Sequence, residues 1–280
     1  MTTTMPRSAW PAVRPAIETA AGWRLPRARL SPARRWILRL SSVAVLVLGW
    51  EICGRSINPI LLSRPTAVVA AGMQMIADGT LRHALHDSLT VLGLGLVAGS
   101  TLGTALGVVA GRAEAVAAVL EIPVNALYAT PTVALIPIIV LWFGFDIVAK
   151  TVVVFLFVVF PVLINTMRGV REIDPELVEV ARTFCSSERR LWRDLVLPSA
   201  LPYIVTGVRI AIGRALIGVI VAEYYTALSG LGNLIATNAN LFHTARMLVP
   251  IVVIAVLGVV LTMGLGWAER RLARWRETPA

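Results

Sequence analysis

The chain of 280 residues is poor in charge: Asp, Glu, Lys and Arg make up 15% of it, against about 25% in a typical soluble domain. Lysine occurs once, at Lys150, histidine three times and cysteine twice. Each scarcity excludes something. So little polar surface cannot wrap a globule of this size, which rules out a soluble enzyme and a disordered chain. Cys53 and Cys185 cannot build a disulfide framework, and neither has a metal-ligand neighbour in sequence. With Lys150 as its only lysine, the chain has no Gly-x-x-x-x-Gly-Lys-Ser/Thr phosphate loop. It also lacks His-Glu-x-x-His and Gly-x-Ser-x-Gly, and an intramembrane enzyme would need some such acid, base, nucleophile or metal set.

What is abundant is apolar surface. Hydrophobic residues make up 57% of the chain, and the mean hydropathy is +0.77. A helix needs about 20 mostly apolar residues to cross the hydrocarbon. Six segments qualify, at roughly residues 36–54, 88–110, 122–144, 147–167, 203–226 and 248–268. This reads as an all-α integral membrane protein of six spans in the lipid bilayer.

The net charge of +10 fits nucleic-acid binding or the cytoplasmic arginine excess that orients membrane proteins. Position favours the second, because no aromatic residues interleave with the arginines as a nucleic-acid platform requires. With the N-terminus inside and the spans alternating, cytoplasmic segments hold nineteen basic residues and external segments five. Both termini are therefore expected in the cytoplasm. Residues 1–35 read as a basic mobile tail, 36–268 as the transmembrane domain and 269–280 as a short cytoplasmic tail. Residues 57–86 are too short in their apolar runs to cross, and predict an external helix along the membrane surface. His83, His86 and Asp87 could share a helix face there, as a metal site or, more plainly, as solvated loop residues.

Within the spans, Gly95, Gly99, Gly103, Gly107 and Gly111 recur every four residues. Such a stripe lets a neighbouring helix approach closely and predicts a tightly apposed partner. Pro123, Pro131 and Pro137 in the third span predict kinks, either beside a cavity or as plain packing features. Span five holds Arg209, Arg214 and Glu223. Arg209 can snorkel, whereas Arg214 lies near mid-membrane, where an ionisable group faces the bundle interior or a water-filled path. Glu223 is nine residues on, about 13–14 Å along the helix, too far to pair with Arg214. Two readings stay open: a polar path along this helix, or an arginine bonded to carbonyls of a neighbouring helix.

The longest polar stretch, residues 170–203, is assigned to the cytoplasm. Asp174 is a good N-cap with Pro175 at the first helical position. Leu177, Val180, Ala181 and Phe184 follow at helical spacing as one apolar face. A turn around Cys185–Ser187 leads to a second helical stretch ending before Pro198. Two short surface helices with an apolar face read as a docking device for a soluble partner.

The run Glu179-Val-Ala-Arg-Thr-Phe-Cys-Ser-Ser, closing on Leu195-Val-Leu197-Pro198, resembles the EAA loop of ABC-importer permeases. In that pattern Glu-Ala-Ala is followed after three residues by Gly, and after nine more by Ile-x-Leu-Pro. Glu179, Ala181, Leu197 and Pro198 match it. Val180 and Leu195 are close replacements, and Cys185 stands where the family has Gly. If that Gly supplies a positive φ, Cys185 is strained. Ala134–Gly144, Leu201–Leu216 and Gly230–Ile235 resemble the aliphatic-sulfonate, nitrate and taurine branch. The resemblance implies a permease of the bacterial inner membrane without cofactor or nucleotide site, paired with a second copy. It implies cytoplasmic ATPase subunits that bind ATP and Mg, and an external solute-binding protein. The solute it implies is a small anion, an aliphatic sulfonate first, with nitrate or taurine as alternatives. A secondary transporter binding ions at Arg214 and Glu223 is the rival reading; it would not need a docking loop, and no internal repeat is evident.

Overall fold

The computed structural model describes residues 31–226 and 228–272, all in helices and their connections. In chain order these are α1 (Pro32–Ser56), α2 (Pro65–Ala77), α3 (Thr80–Arg112), α4 (Glu114–Ala129), α5 (Ile136–Phe143), α6 (Ile147–Arg171), α7 (Pro175–Thr183), α8 (Glu188–Leu191), α9 (Leu197–Thr226), α10 (Leu231–Asn240) and α11 (Thr244–Leu272). The expected tails lie almost entirely outside the described residues.

Among the described residues, five helical stretches are long and apolar enough to cross a membrane, and a bent pair brings the number to at most six. The chain divides into two units after Gly49. In the first, α1 exposes Ile37, Val45 and Leu46, and Arg39 lies 5.4 Å over the Trp36 ring. The second unit begins at Trp50, whose indole N–H donates to the Ser63 carbonyl at 3.0 Å. Glu51, the charge that interrupts the first span, accepts from Arg55 at 3.0 Å and from the Thr66 amide at 3.2 Å.

Its centre is a three-helix contact of α3, α6 and α9. Half of the apolar stretch of α6 is buried, against 11% for α11, so α6 is the core helix and α11 a peripheral one. The glycine stripe of α3 lies along α6. A Cβ added at Gly95 would sit 2.5 Å from Val154, one at Gly99 2.7 Å from Val158, and one at Gly107 2.6 Å from Thr166. At Gly103 the obstacle is the Val159 carbonyl oxygen at 2.7 Å, and at Gly111 it is Val170 at 2.5 Å. The opposing row Val154, Val158, Val162, Thr166 and Val170 is itself spaced by four. β-Branched side chains are rigid at χ1, so each fits the groove left by a glycine. Because both numberings increase together, α3 and α6 run parallel. Val91, Ala211, Ala215 and Val219 complete this core from α3 and α9.

Several expectations are corrected. The third span is not one kinked helix over 122–144: α4 begins at Glu114, ends at Ala129, and turns by 88° through a 3-10 turn, Thr132–Leu135, into α5. Pro131 sits in the break, which its missing N–H favours; Pro123 is carried inside α4 and Pro137 in the first turn of α5. The second span starts at Thr80, so His83 and His86 belong to α3 rather than to the preceding helix, which covers only Pro65–Ala77. The second loop helix does not stop before Pro198. It passes through a π turn, Trp192–Val196, directly into α9, the Leu197 amide donating to the Trp192 carbonyl five residues back. This wider turn takes up the backbone offset just before a residue with no N–H to give.

Candidate functional site

The loop over residues 170–203 is built as its caps require. The Asp174 carboxylate accepts from the Glu176 amide at 2.9 Å and starts α7. The helix ends in a Schellman arrangement: the Cys185 amide donates to the Arg182 carbonyl at 2.8 Å, and the Ser186 amide to the Ala181 carbonyl at 3.1 Å. That closure requires a left-handed residue after the cap, and Cys185 takes it at φ 51°. Cysteine there bears the strain a glycine avoids.

The apolar face of α7 splits in two. Leu177, Val180 and Phe184 are exposed, Phe184 at 80%. Ala181 is half-buried beside Val178, against Leu191, Val196 and Ala200. Of the four residues of the expected apolar face, Ala181 is thus the one that packs inward. On a helix of 100° per residue it lies next to both sectors, and only its neighbours decide which side it takes. Glu179 is exposed and, with Arg182 and Trp192, lines a groove of about 730 Å³ between loop and bundle. Arg112, at the end of α3, pairs with Glu188 at 3.1 Å and lies 4.9 Å over the Trp192 ring. At the end of α6, Glu172 accepts from the Tyr203 hydroxyl and from Arg168, each at 2.5 Å. The Tyr203 hydrogen bond, then Arg168, holds its carboxyl below the usual carboxylate range.

The three ionisable residues of α9 go to three different places. Arg209 pairs with Glu269 of α11. Arg214 donates to the Tyr128 hydroxyl of α4 at 2.7 Å, with its guanidinium 4.5 Å over that ring. They border a cavity of about 330 Å³ at the break between α4 and α5. Glu223 is 0% exposed. It accepts from the Ser88 hydroxyl at 2.7 and 2.9 Å and from the Gly232 amide at 2.8 Å, while Ser88 accepts from the Leu231 amide at 2.9 Å. Arg209, Arg214 and Glu223 are therefore not brought together, and Glu223 is a buried clasp of α3, α9 and α10. Lys150, also buried, lies 3.3 Å from the Ser229 carbonyl and hydroxyl oxygens beside this clasp. Among the described residues no group of His, Cys, Asp and Glu is placed to hold a metal ion; His86 lies 3.6 Å from Asp87 on the surface.

Residues 95–274 match the family of binding-protein-dependent transport system inner membrane components. The chain belongs to that family. The permease is 32% identical over 255 residues to the putative aliphatic sulfonates transport permease protein SsuC of Bacillus subtilis, covering 89% of this chain and 92% of the relative. It is 31% identical to the taurine transport system permease protein TauC of Escherichia coli, covering 90% and 93%. These place it among ABC-importer permeases of the sulfonate and taurine branch, as a multi-pass transport subunit of the bacterial inner membrane rather than an enzyme. A solved amino acid ABC transporter chain shares its fold at TM-score 0.56 and 16% identity, over 73% of this chain and 97% of that one.

Sequence reasoning missed four parts of the permease. Ser88, Tyr128 and the Val154–Val170 row were unremarked, and Gly230 and Gly232 served only as branch markers. Gly230 has φ 104°, and a side chain on either glycine would run into Glu223. Only the valine row had a readable signal, a second spacing of four facing the glycines.

Proposed function

We propose that this permease passes a small anionic solute, an aliphatic sulfonate, from an external binding protein into the cytoplasm. ATP and Mg are bound and used by two cytoplasmic ATPase subunits, and the permease works as a pair of identical copies. In this reading it has six spans with both termini inside and the bent pair as the third. Residues 1–35 and 269–280 are cytoplasmic tails, and 170–203 is the coupling loop. Glu179, Ala181, Phe184, Cys185, Leu197 and Pro198 form the contact with the ATPase or its frame, and Arg214 faces the solute.

The observation that carries it is the outward row Leu177, Val180 and Phe184 on a short, doubly capped helix. Those side chains are exposed in the segment that matches the EAA pattern. A helix seated in a partner's groove transmits a rigid displacement, and apolar anchors at spacings of three and four are how such helices bind. Ala181 sets the helix on its own bundle and Glu179 stands at the rim of the docked face. A secondary transporter has no use for that row.

Phe184→Glu should abolish co-purification of the ATPase and ATP-dependent uptake while leaving the permease folded, because the side chain is exposed. Energy depletion separates the classes: uptake should follow ATP and not an ion gradient. Wild-type retention of the ATPase by Phe184→Glu would overturn the coupling assignment.

A further inference from the structure

The charges of the spans differ in how they are answered. Arg209 has Glu269, and Glu51 holds Arg55. Arg214, halfway along α9, hydrogen-bonds among the described residues only to a neutral phenol. A guanidinium has five donors, and one at this depth calls for a counter-charge.

The cavity beside it lacks that counter-charge too. It lies where α4 breaks from α5, and no carboxylate is among its lining residues. On one side are Tyr128 and Arg214. The break itself adds Thr130 and Thr132, whose hydroxyls are neutral, and the facing wall is apolar: Leu156, Phe157 and Phe160 from α6 and Ile217 from α9. Gly218 lets the Phe157 ring into this wall, since a Cβ there would stand 2.8 Å from the ring. At about 330 Å³ the space is at the lower end for a ligand pocket.

We infer that this cavity is a solute subsite selecting organic anions with an uncharged apolar tail, and that it works against zwitterions and bare inorganic anions. The inference rests on the reading that Arg214 faces the solute. A sulfonate head takes the planar guanidinium through two oxygens, displacing the Tyr128 hydroxyl, while the alkyl chain lies on Phe157, Phe160 and Ile217. Taurine would bring its ammonium into walls with no carboxylate to receive it, at a desolvation cost. Nitrate would fill the head position and leave the apolar walls unused. The permease therefore adds a filter of its own to that of the binding protein.

The test is direct binding to the purified permease with its associated subunits in lipid nanodiscs, without binding protein or nucleotide. The probes are methane-, ethane-, propane- and butanesulfonate, butanoate, taurine and nitrate. Affinity should rise by about fourfold per methylene, the equivalent of ~0.8 kcal/mol for each buried CH₂. Taurine should bind about tenfold or more below ethanesulfonate, and nitrate below all the longer sulfonates. Butanoate binding should follow butanesulfonate if charge and tail suffice; its failure would narrow the class to sulfonates. Arg214→Gln should lose about tenfold for every anion, and Phe160→Ser should flatten the chain-length series without touching methanesulfonate. A flat series on the wild-type protein, equal binding of taurine and ethanesulfonate, or undiminished binding to Arg214→Gln would each overturn the subsite. Because the series uses wild-type protein, it decides even if a variant fails to assemble. ATP-dependent sulfonate uptake measured alongside separates the two failures: intact uptake with no such series removes the subsite and leaves the importer.

Discussion

Glu223 and Arg214 lie nine residues apart on the same helix and have opposite surroundings. Glu223 has no exposed surface and accepts from a hydroxyl and a backbone amide on two other elements. Arg214 is half-buried, borders a cavity and has, among the described residues, one neutral partner. A buried charged or polar group persists only when its hydrogen bonds are complete, so the satisfied member of this pair belongs to the architecture. The incompletely answered one is the residue proposed above to meet the solute. Presence in a span did not separate them; the neighbours did.

The largest expected effects split that pair. Glu223→Ala strands the Ser88 hydroxyl and the Gly232 amide and should cost ~3–5 kcal/mol, seen as a lower melting temperature and less monodisperse permease. Glu223→Gln keeps the shape and one acceptor and should lose less. Arg214→Leu should leave stability within roughly 1 kcal/mol of wild type, read as a nearly unchanged melting temperature, while uptake falls by about tenfold or more. The contrast breaks if Glu223→Ala is stable and inactive, or Arg214→Leu is simply unfolded.

A smaller effect tests whether strain at a functional segment can be relieved without loss. Cys185 has a positive φ in a turn whose hydrogen bonds are complete. Cys185→Gly should raise stability by ~1 kcal/mol and keep ATPase coupling, by melting and by substrate-stimulated hydrolysis. A loss of coupling would show that the thiol, and not the turn, is used.

The smallest concerns Glu172, a satisfied but solvent-exposed counterpart of Glu223. Its carboxyl titrates below the ordinary 4.5 because the Tyr203 hydroxyl and Arg168 favour the charged form. A depressed folded value contributes stability above pH 4.5 and loses it as the pH falls through the lowered value. Melting temperatures across that acid range should therefore drop, and the drop should shrink in Tyr203→Phe. An unchanged profile in that variant would make the clasp of Glu172 and Tyr203 irrelevant to stability.

Local features were legible because they depend on spacing alone. The five glycines every four residues announced a close helix, and the caps Asp174 and Pro175 placed the start of α7. The motif glycine replaced by Cys185 pointed to a left-handed residue. Where reading failed, the deciding partner was remote. Ser88 is 135 residues from Glu223, so the carboxylate's depth could not tell a path from a clasp. Ala181 borders two sectors of one helix, and Leu191 and Val196 chose its side. The three prolines marked the third span as irregular without stating that it turns by 88° at Pro131.

Composition and periodicity by themselves determined that this chain is a helical membrane protein whose longest polar stretch is a pair of short helices at residues 170–203. Apolar run length and arginine distribution answer to the bilayer, which acts on each segment separately. Only the tertiary structure decided which charges are used up. Pairing Arg209 with Glu269, burying Glu223 on Ser88 and leaving Arg214 beside a carboxylate-free cavity depend on which helices meet. Hydrogen bonds and close packing act over a few ångströms between residues far apart in the chain, and no local pattern encodes that distance.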